Sequence, residues 1–225
     1  EYRNIGNSLD QFNQENKNSS LDRYYDGGSP TALWAVRSLG INPSDGRELF
    51  LTKEGTYTFE YDTEDEVVVG NSEPKLEGVL GSTLYWKGFS FSLYFRYSLG
   101  ADVFTEATYN KVENISLAGL KSNQDKRALH DRWQKPGDHA KFKGISLTET
   151  TPISSRFVLR ENYIKAESIS VGYDFESQAV QKLGIQSLRL QANTTDLFRI
   201  SSIKEERGIE YPFARSFSFS LSAMF

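Results

Sequence analysis

The sequence predicts an all-β protein, an antiparallel transmembrane β-barrel, and three observations carry this prediction. Several segments alternate strictly between apolar and polar residues, as strands with two unlike faces do. The connections between these segments alternate between very short and very long. Aromatic residues, which make up 13% of the 225 residues, gather near the strand ends, as they do where membrane strands meet the interface.

Composition is compatible with this fold and excludes several others. The hydrophobic fraction of 38% does not exclude a barrel, because half of each barrel strand faces a polar lumen. No apolar run approaches the ~18 residues that a membrane helix needs. The net charge of −4 gives no basic footprint for nucleic acid. The absence of cysteine excludes disulfides and cysteine-rich metal sites.

The N-terminal part is loop-like. Residues 1–30 are polar and rich in Asn, and Ile5, Leu9 and Phe12 have the spacing of a short surface helix. The run TALWAVRSL (31–39) predicts a strand, and residues 40–76 carry turn signals around short strand-like pieces, which predicts a long extracellular loop. The chain starts without Met or an apolar leader, so we expect a removed signal or a piece of a longer protein.

The clearest strand pair flanks Lys87-Gly88. Residues 76–86 and 89–99 form its two arms, and Gly88 can supply the positive φ of a tight turn. One face of the second arm is predicted to contact lipid: Phe89, Phe91, Leu93 and Phe95. The opposite face carries serines and Arg96, and it is predicted to face the lumen.

Residues 99–161 show no sustained alternation. A structureless stretch of this length is uncommon in a compact soluble domain. Outer-membrane barrels, in contrast, have long extracellular loops and short periplasmic turns. The turn at Lys87-Gly88 is therefore predicted to be periplasmic, and residues 99–161 are predicted to form a second extracellular loop.

Alternation returns in residues 162–175, 187–198 and 215–225. Eleven residues at ~3.3 Å rise, tilted by about 45°, span roughly 25 Å, which is the height of the apolar band of a barrel. The residues predicted to face lipid in these strands are Ile169, Val171, Leu188, Leu190, Phe217, Phe219 and Leu221. Those predicted to face the lumen are Arg189, Gln191 and Asn193.

Two charged residues do not fit this pattern. Lys165 and Glu167 share the parity of Ile169 and Val171, and a charge at the lipid midplane would cost about 2–4 kcal/mol. Either the upper half of this strand stands above the bilayer, or a β-bulge near Ser168 switches the parity. We prefer the first explanation, because these residues lie on the predicted extracellular side.

A few loop residues are candidates for binding. Arg132 and Trp133 could hydrogen-bond and stack on a sugar, although a role in folding the loop is the preferred interpretation. His130 and His139 lack the partners that a metal site needs, and DTEDE (62–66) lacks the glycine and spacing of an EF-hand. We expect no metal, no cofactor and no catalytic residues, so the protein is not predicted to be an enzyme.

Several quoted segments together resemble one known family. They are ALWAVRSLGINPSDGRELFLTKEGTYTFEYD, VVVGNSEPKLEGVLGSTLYWKGFSFSLYFRYSLG, RWQKPGD, NYIKAESISVGY, LRLQANTTDLF and YPFARSFSFSLSAMF. Over about residues 30–225 they resemble the C-terminal region of SusC-like TonB-dependent transporters of Bacteroidetes outer membranes. The resemblance implies barrels of about 22 strands with an N-terminal plug, and we expect the plug to lie outside this chain. It also implies that Phe225 acts as a barrel-assembly signal.

The resemblance implies a function and partners as well. Family members import oligosaccharides, or sometimes peptides, with a SusD-like surface lipoprotein and energy from the TonB–ExbB–ExbD complex. Arg96, Arg189, Gln191 and Asn193 would then contact substrate in transit or the plug, and we prefer the plug. Two alternatives remain: a passive outer-membrane porin, and a soluble carbohydrate-binding β-sandwich.

Overall fold

The structure, a computed structural model, describes residues 8–17, 19–121, 124–146, 148–175, 182, 184–204 and 215–225. It divides into two compact units: unit 1 comprises Glu1–Glu73 and Ala101–Arg160, and unit 2 comprises Pro74–Gly100 and Glu161–Phe225. Strands account for 46% and helices for 15% of the residues that the structure describes, so the all-β prediction is confirmed. Among the described residues, no helix is both long and apolar enough to cross a membrane.

Unit 1 contains a four-stranded antiparallel sheet and several short helices. The strands are β1 (Ala32–Ile41), β2 (Glu48–Leu51), β3 (Tyr57–Thr58) and β4 (Glu66–Asn71), in the order β3-β2-β1-β4. The α-helices are α1 (Ser8–Glu15), α2 (Glu106–Thr108), which continues as a π-helix (Tyr109–Glu113), and α3 (Arg127–His130). Short 3-10 helices occupy Thr63–Asp65, Gly119–Lys121 and Ser155–Phe157.

Two clusters of buried side chains form the core of unit 1. Leu33 and Ala35 of β1 pack with Leu21 and Ile153, and a second cluster joins the following residues: Val112, Phe142 and Phe157. The predicted first strand therefore exists and is largely buried. The sequence of a largely buried strand is typically a near-continuous run of apolar residues, and the ALWAV segment of β1 is such a run.

The predicted loop of residues 99–161 is shorter and more ordered than the sequence suggests. The strand that begins at Phe89 continues to Phe104, and the next strand begins at Val158. Gly100 adopts a φ of 83°, which disturbs the side-chain alternation without ending the strand. The residues between these strands supply the second buried cluster. Their apolar positions follow no regular period, so this cluster could not be predicted from alternation or helical spacing.

Unit 2 is built on a six-stranded antiparallel sheet. The strands of this sheet are β5 (Leu76–Trp86), β6 (Phe89–Phe104), β7 (Val158–Phe175), β8 (Ser187–Thr195), β9 (Arg199–Ser201) and β10 (Phe217–Met224). Residues 101–104 of β6 and 158–160 of β7 are counted with unit 1. The order is β10-β8-β7-β6-β5, and β9 also pairs with β7. Lys87 (φ 46°) and Gly88 (φ 83°) both adopt positive φ, as a two-residue type I′ turn requires. The predicted tight hairpin is confirmed.

Candidate functional site

Unbroken register gives the sheet of unit 2 two unlike faces. The β5–β6 pairing runs without a bulge from Leu76 opposite Leu99 to Trp86 opposite Phe89. The β8–β10 pairing is equally regular and sets Phe219 opposite Ala192 and Ser220 opposite Gln191. Because side chains alternate along a strand, each regular pair carries one apolar and one polar row.

The apolar rows of neighbouring strands join into one surface, the apolar face. The rings of Phe89 and Tyr173 lie 4.5 Å apart between centroids, and Tyr173 is opposite Leu190 in the β7–β8 register. The alternation of each strand then brings all residues predicted to face lipid onto this face: Phe89, Phe91, Leu93, Phe95, Ile169, Val171, Leu188, Leu190, Phe217, Phe219 and Leu221.

The apolar face is exposed. Phe219 and Leu221 of β10 are 76% and 68% exposed, and Leu84 and Trp86 of β5 are also exposed. Monomeric soluble proteins rarely present a contiguous apolar surface of this extent. The described residues supply no cover for the face, so it is suited to an apolar environment.

The polar face carries the four residues predicted to face the lumen. Arg189 Nη2 donates to Ser90 Oγ at 3.0 Å, and Gln191 Nε2 donates to Asn193 Oδ1 at 2.8 Å. Arg96 lies on the same side of β6 as Ser90, because the β5–β6 register is unbroken between them. The structure therefore brings these side chains to one face, as the alternation predicts.

Glu167 also lies on the polar face, against the explanation preferred above. Arg96 Nε donates to Glu167 Oε2 at 2.6 Å, whereas Tyr173, which has the same parity, contacts Phe89 on the apolar face. The parity of β7 therefore switches between these residues. The strand register supports this switch. Ser168 is paired with Thr195 and Lys165 with Arg199, so three residue steps along β7 correspond to four residue steps along the facing segment. The irregularity near Ser168 explains the charges without raising the strand above a bilayer.

Further charged pairs continue along this end of the sheet. Lys165 Nζ lies 3.1 Å from Asp196 Oδ1, and Asp196 has a φ of 48° at the irregularity. Arg199 Nη2 donates to Glu161 Oε1 at 2.7 Å, and Arg199 Cζ lies 4.0 Å from the centroid of the Tyr163 ring. None of these residues was predicted as a site residue: the alternation marked Lys165 only as a charge that does not fit the lipid-facing parity, and it does not single out Asp196 or Glu161.

Arg132 and Trp133 hold unit 1 together. Arg132 is 6% exposed, and its guanidinium donates to the carbonyls of Val112, Glu113 and Lys143. Burial lowers the pKa of Arg132. These contacts correspond to the loop-folding role rather than to an exposed sugar platform.

Trp133 is held by its own contacts in unit 1. Its indole Nε1 donates to the carbonyl of Pro43 at 3.0 Å. The indole packs against Gly46 so closely that a Cβ there would lie 2.5 Å from the ring. Gly46 also has a φ of 73°, so this turn needs glycine for two reasons.

A buried ionic network in unit 1 was missed by the sequence analysis. Arg156 donates to Glu48 at 2.9 Å and to Glu113 at 3.1 Å, and Ser154 and Thr151 donate to the same two carboxylates. Burial alone would lower the pKa of Arg156, but the hydrogen bonds to both carboxylates raise it. Within the described ranges, no group of three His, Cys, Asp or Glu side chains could hold a metal ion.

Comparison with known proteins gives a consistent result. No protein-family model matches the chain. TonB-dependent receptor P39 of Formosa agariphila is 24% identical over 161 residues, which are 70% of this chain and 15% of that protein. TonB-dependent receptor P3 of the same organism is 25% identical over 173 residues, which are 77% of this chain and 16% of that protein. The chain's homologues are TonB-dependent receptors. The resemblance found in the sequence is thereby confirmed.

Solved structures show the same fold. The structure of the RagAB peptide transporter matches with a TM-score of 0.69 and 15% identity over 87% of this chain and 23% of that chain. The RagAB peptide importer in the "open-open" state matches with a TM-score of 0.68 and 16% identity over 86% and 22%. The fold is thus that of a TonB-dependent transporter barrel segment. This chain spans only 15–16% of the curated relatives that it matches.

Proposed function

We propose that this chain forms part of the wall of an outer-membrane barrel that imports glycans with energy from TonB. The two-faced sheet of unit 2 is the observation that carries the proposal. Its apolar face contacts lipid, and its polar face, with Arg96, Arg189, Gln191 and Asn193, lines the lumen. Homology to TonB-dependent receptors favours energised import over a passive porin or a soluble sugar-binding sandwich.

The two edges of the sheet support a larger barrel. Among the described strands, β5 pairs only with β6, and β10 pairs only with β8. The backbone N–H and C=O groups of an unpaired strand edge find no hydrogen-bond partners in lipid. Only closure of the barrel supplies those partners. The remaining strands of the transporter therefore complete both edges. Phe225, which is 80% exposed just after β10, acts as the assembly signal.

The polar face suits contact with a plug. Its guanidinium, carboxylate and amide groups are already partly paired with one another, as Arg96 with Glu167 and Arg189 with Ser90 show. Such a surface offers hydrogen bonds to a polar protein domain that fills the lumen. A SusD-like lipoprotein on the extracellular side and TonB–ExbB–ExbD on the periplasmic side are the further partners of this proposal.

The cargo has two candidates. Oligosaccharides are the cargo that the family resemblance implies, and we propose them for this protein. RagAB, which shares the fold, is a peptide importer, so peptides are the second candidate.

Uptake in the parent organism tests the proposal. Cells with and without the transporter would receive fluorescent oligosaccharides and fluorescent peptides, with the proton-motive force intact or dissipated by an uncoupler. We expect oligosaccharide uptake that needs both the transporter and the proton-motive force. Uptake that survives the uncoupler would identify a passive pore, and selective loss of peptide uptake would replace glycan by peptide as the cargo.

A further inference from the structure

Unit 1 contains a cavity of about 230 Å3 between α1 and the 3-10 helix Thr63–Asp65. Asn13 fixes α1 beside the cavity. Its buried side-chain amide donates to the Tyr24 carbonyl at 2.8 Å and accepts from the Tyr24 N–H at 2.9 Å. These two hydrogen bonds hold α1 against the segment around Tyr24, which carries another wall of the cavity. The two walls are therefore fixed in place without a ligand.

Charged groups enter the cavity as pairs. Arg23 and Glu66, which are 2% and 8% exposed, form two parallel hydrogen bonds of 2.9 and 2.8 Å. Lys17 pairs with Glu64 nearer the surface. Asp10 and Lys53 complete the charged lining, so the cationic and anionic side chains balance. A ligand with a net charge would find no excess of opposite charge in this cavity.

Aromatic rings form another wall. The centroids of Tyr25 and Trp34 lie 5.1 Å apart, with their planes inclined by 51°. Tyr25 is 47% exposed, so its ring is open to a ligand. The side chains of Gln14 and Thr63 stand in the same lining and add uncharged hydrogen-bonding groups.

We infer that this cavity binds one uncharged, polyhydroxylated ring, a single sugar unit. The ring's C–H face packs on Tyr25 and Trp34, since aromatic side chains offer large apolar surfaces beside polar groups. The hydroxyl groups both donate and accept, which matches a lining of balanced charges and amides. The volume is below the ~300–1,000 Å3 of pockets for drug-sized ligands, so the cavity holds one unit rather than a chain.

The inference deepens the proposed function, because it rests on glycans as the cargo and assigns one of their units to a place in unit 1. The test of the cavity measures sugar binding and not uptake, so the cavity assignment and the proposed import function can fail separately. Loss of sugar binding with uptake intact would overturn the cavity assignment alone.

Saturation-transfer NMR on the complete protein provides the test, in a detergent without a sugar headgroup. The neutral probes are the methyl glycosides of glucose, galactose and mannose, and the charged probes are methyl glucuronoside and glucosamine. Tyr25→Ala and Gln14→Leu alter the cavity at exposed side chains. Tyr57→Ala removes a tyrosine of unit 1 that is exposed (73%, against 47% for Tyr25) and lies outside the cavity, and it serves as the control.

We expect saturation transfer to ring protons of at least one neutral glycoside. Its affinity should fall about tenfold in Tyr25→Ala, which corresponds to about 1.4 kcal/mol, and should also fall in Gln14→Leu. Tyr57→Ala should bind as the unmodified protein does. The inference is overturned if no neutral glycoside binds, if a charged probe binds more tightly, or if both cavity variants bind as well as the control.

Discussion

Arg96 and Glu167 form an ion pair between the adjacent strands β6 and β7, with the Arg96 Nε atom 2.6 Å from Glu167 Oε2. This pair shows on which face of the sheet the Glu167 carboxylate lies. Glu167 has the sequence parity of the apolar residues, yet its carboxylate lies with Arg96 on the polar face. The pair thus lies close to the position in β7 at which the odd-numbered side chains change from the polar face to the apolar face.

Glu167→Leu tests the position of this carboxylate. Both side chains are partly exposed, and such pairs contribute up to about 1 kcal/mol, so the free energy of unfolding should fall by no more than that. Urea unfolding of the complete protein in lipid vesicles measures it, in a double-mutant cycle with Arg96→Leu. A rise in stability on Glu167→Leu would place the carboxylate in lipid and contradict the assignment.

Phe219→Arg and Ser220→Arg test the two faces of β10. An arginine facing the bilayer midplane costs about 2–4 kcal/mol, whereas one facing an aqueous lumen remains solvated. We expect Phe219→Arg to reduce the amount of heat-modifiable barrel in outer membranes, and Ser220→Arg to leave most of it. Equal losses from the two neighbouring substitutions would argue against the assigned faces.

Arg156→Met tests the ionic network of unit 1. The substitution leaves the Glu48 and Glu113 carboxylates buried without their cation, and breaking a buried pair costs about 3–5 kcal/mol. Limited proteolysis should then cut within residues 105–157 much faster than in the unmodified protein. Arg47→Met removes an arginine from an exposed pair with Asp45 and should not change the rate. Resistance of Arg156→Met would show that the network is dispensable.

Tyr61 gives a pH-dependent prediction. Burial raises the pKa of Tyr61 to about 12, and its hydroxyl donates to the Ile153 carbonyl at 3.2 Å. An unfolded tyrosine ionises near pH 10, so the folded state holds this proton longer and its stability declines between about pH 10 and 12. Tyr61→Phe should make that decline less steep. Thermal unfolding of both proteins across this range measures the difference, and identical slopes would contradict it.

The faces of the sheet could be predicted because alternation is local. Phe217, Phe219 and Leu221 are two residues apart, and strand geometry alone puts them on one side. The hairpin at Lys87-Gly88 could be predicted for the same reason, because the two residues of the turn determine its type.

The interior of unit 1 could not be predicted because its contacts are remote in sequence. Glu48 and Arg156 are 108 residues apart, and Arg132 is bound by carbonyls, which any residue type provides. The parity switch near Ser168 was foreseen only as one of two explanations. It depends on the register between strands, which a single strand's sequence does not contain.

Oxygen and nickel-chelate accessibility of spin labels along β10 tests the central claim most directly, namely that this sheet separates lipid from an aqueous lumen. The chain contains no cysteine, so single cysteines can be placed at successive positions from Phe217 to Ser222 in the membrane-inserted protein. We predict high oxygen accessibility at Phe217, Phe219 and Leu221 and high nickel-chelate accessibility at the intervening serines. Accessibility without a period of two, or with the opposite phase, would contradict the account.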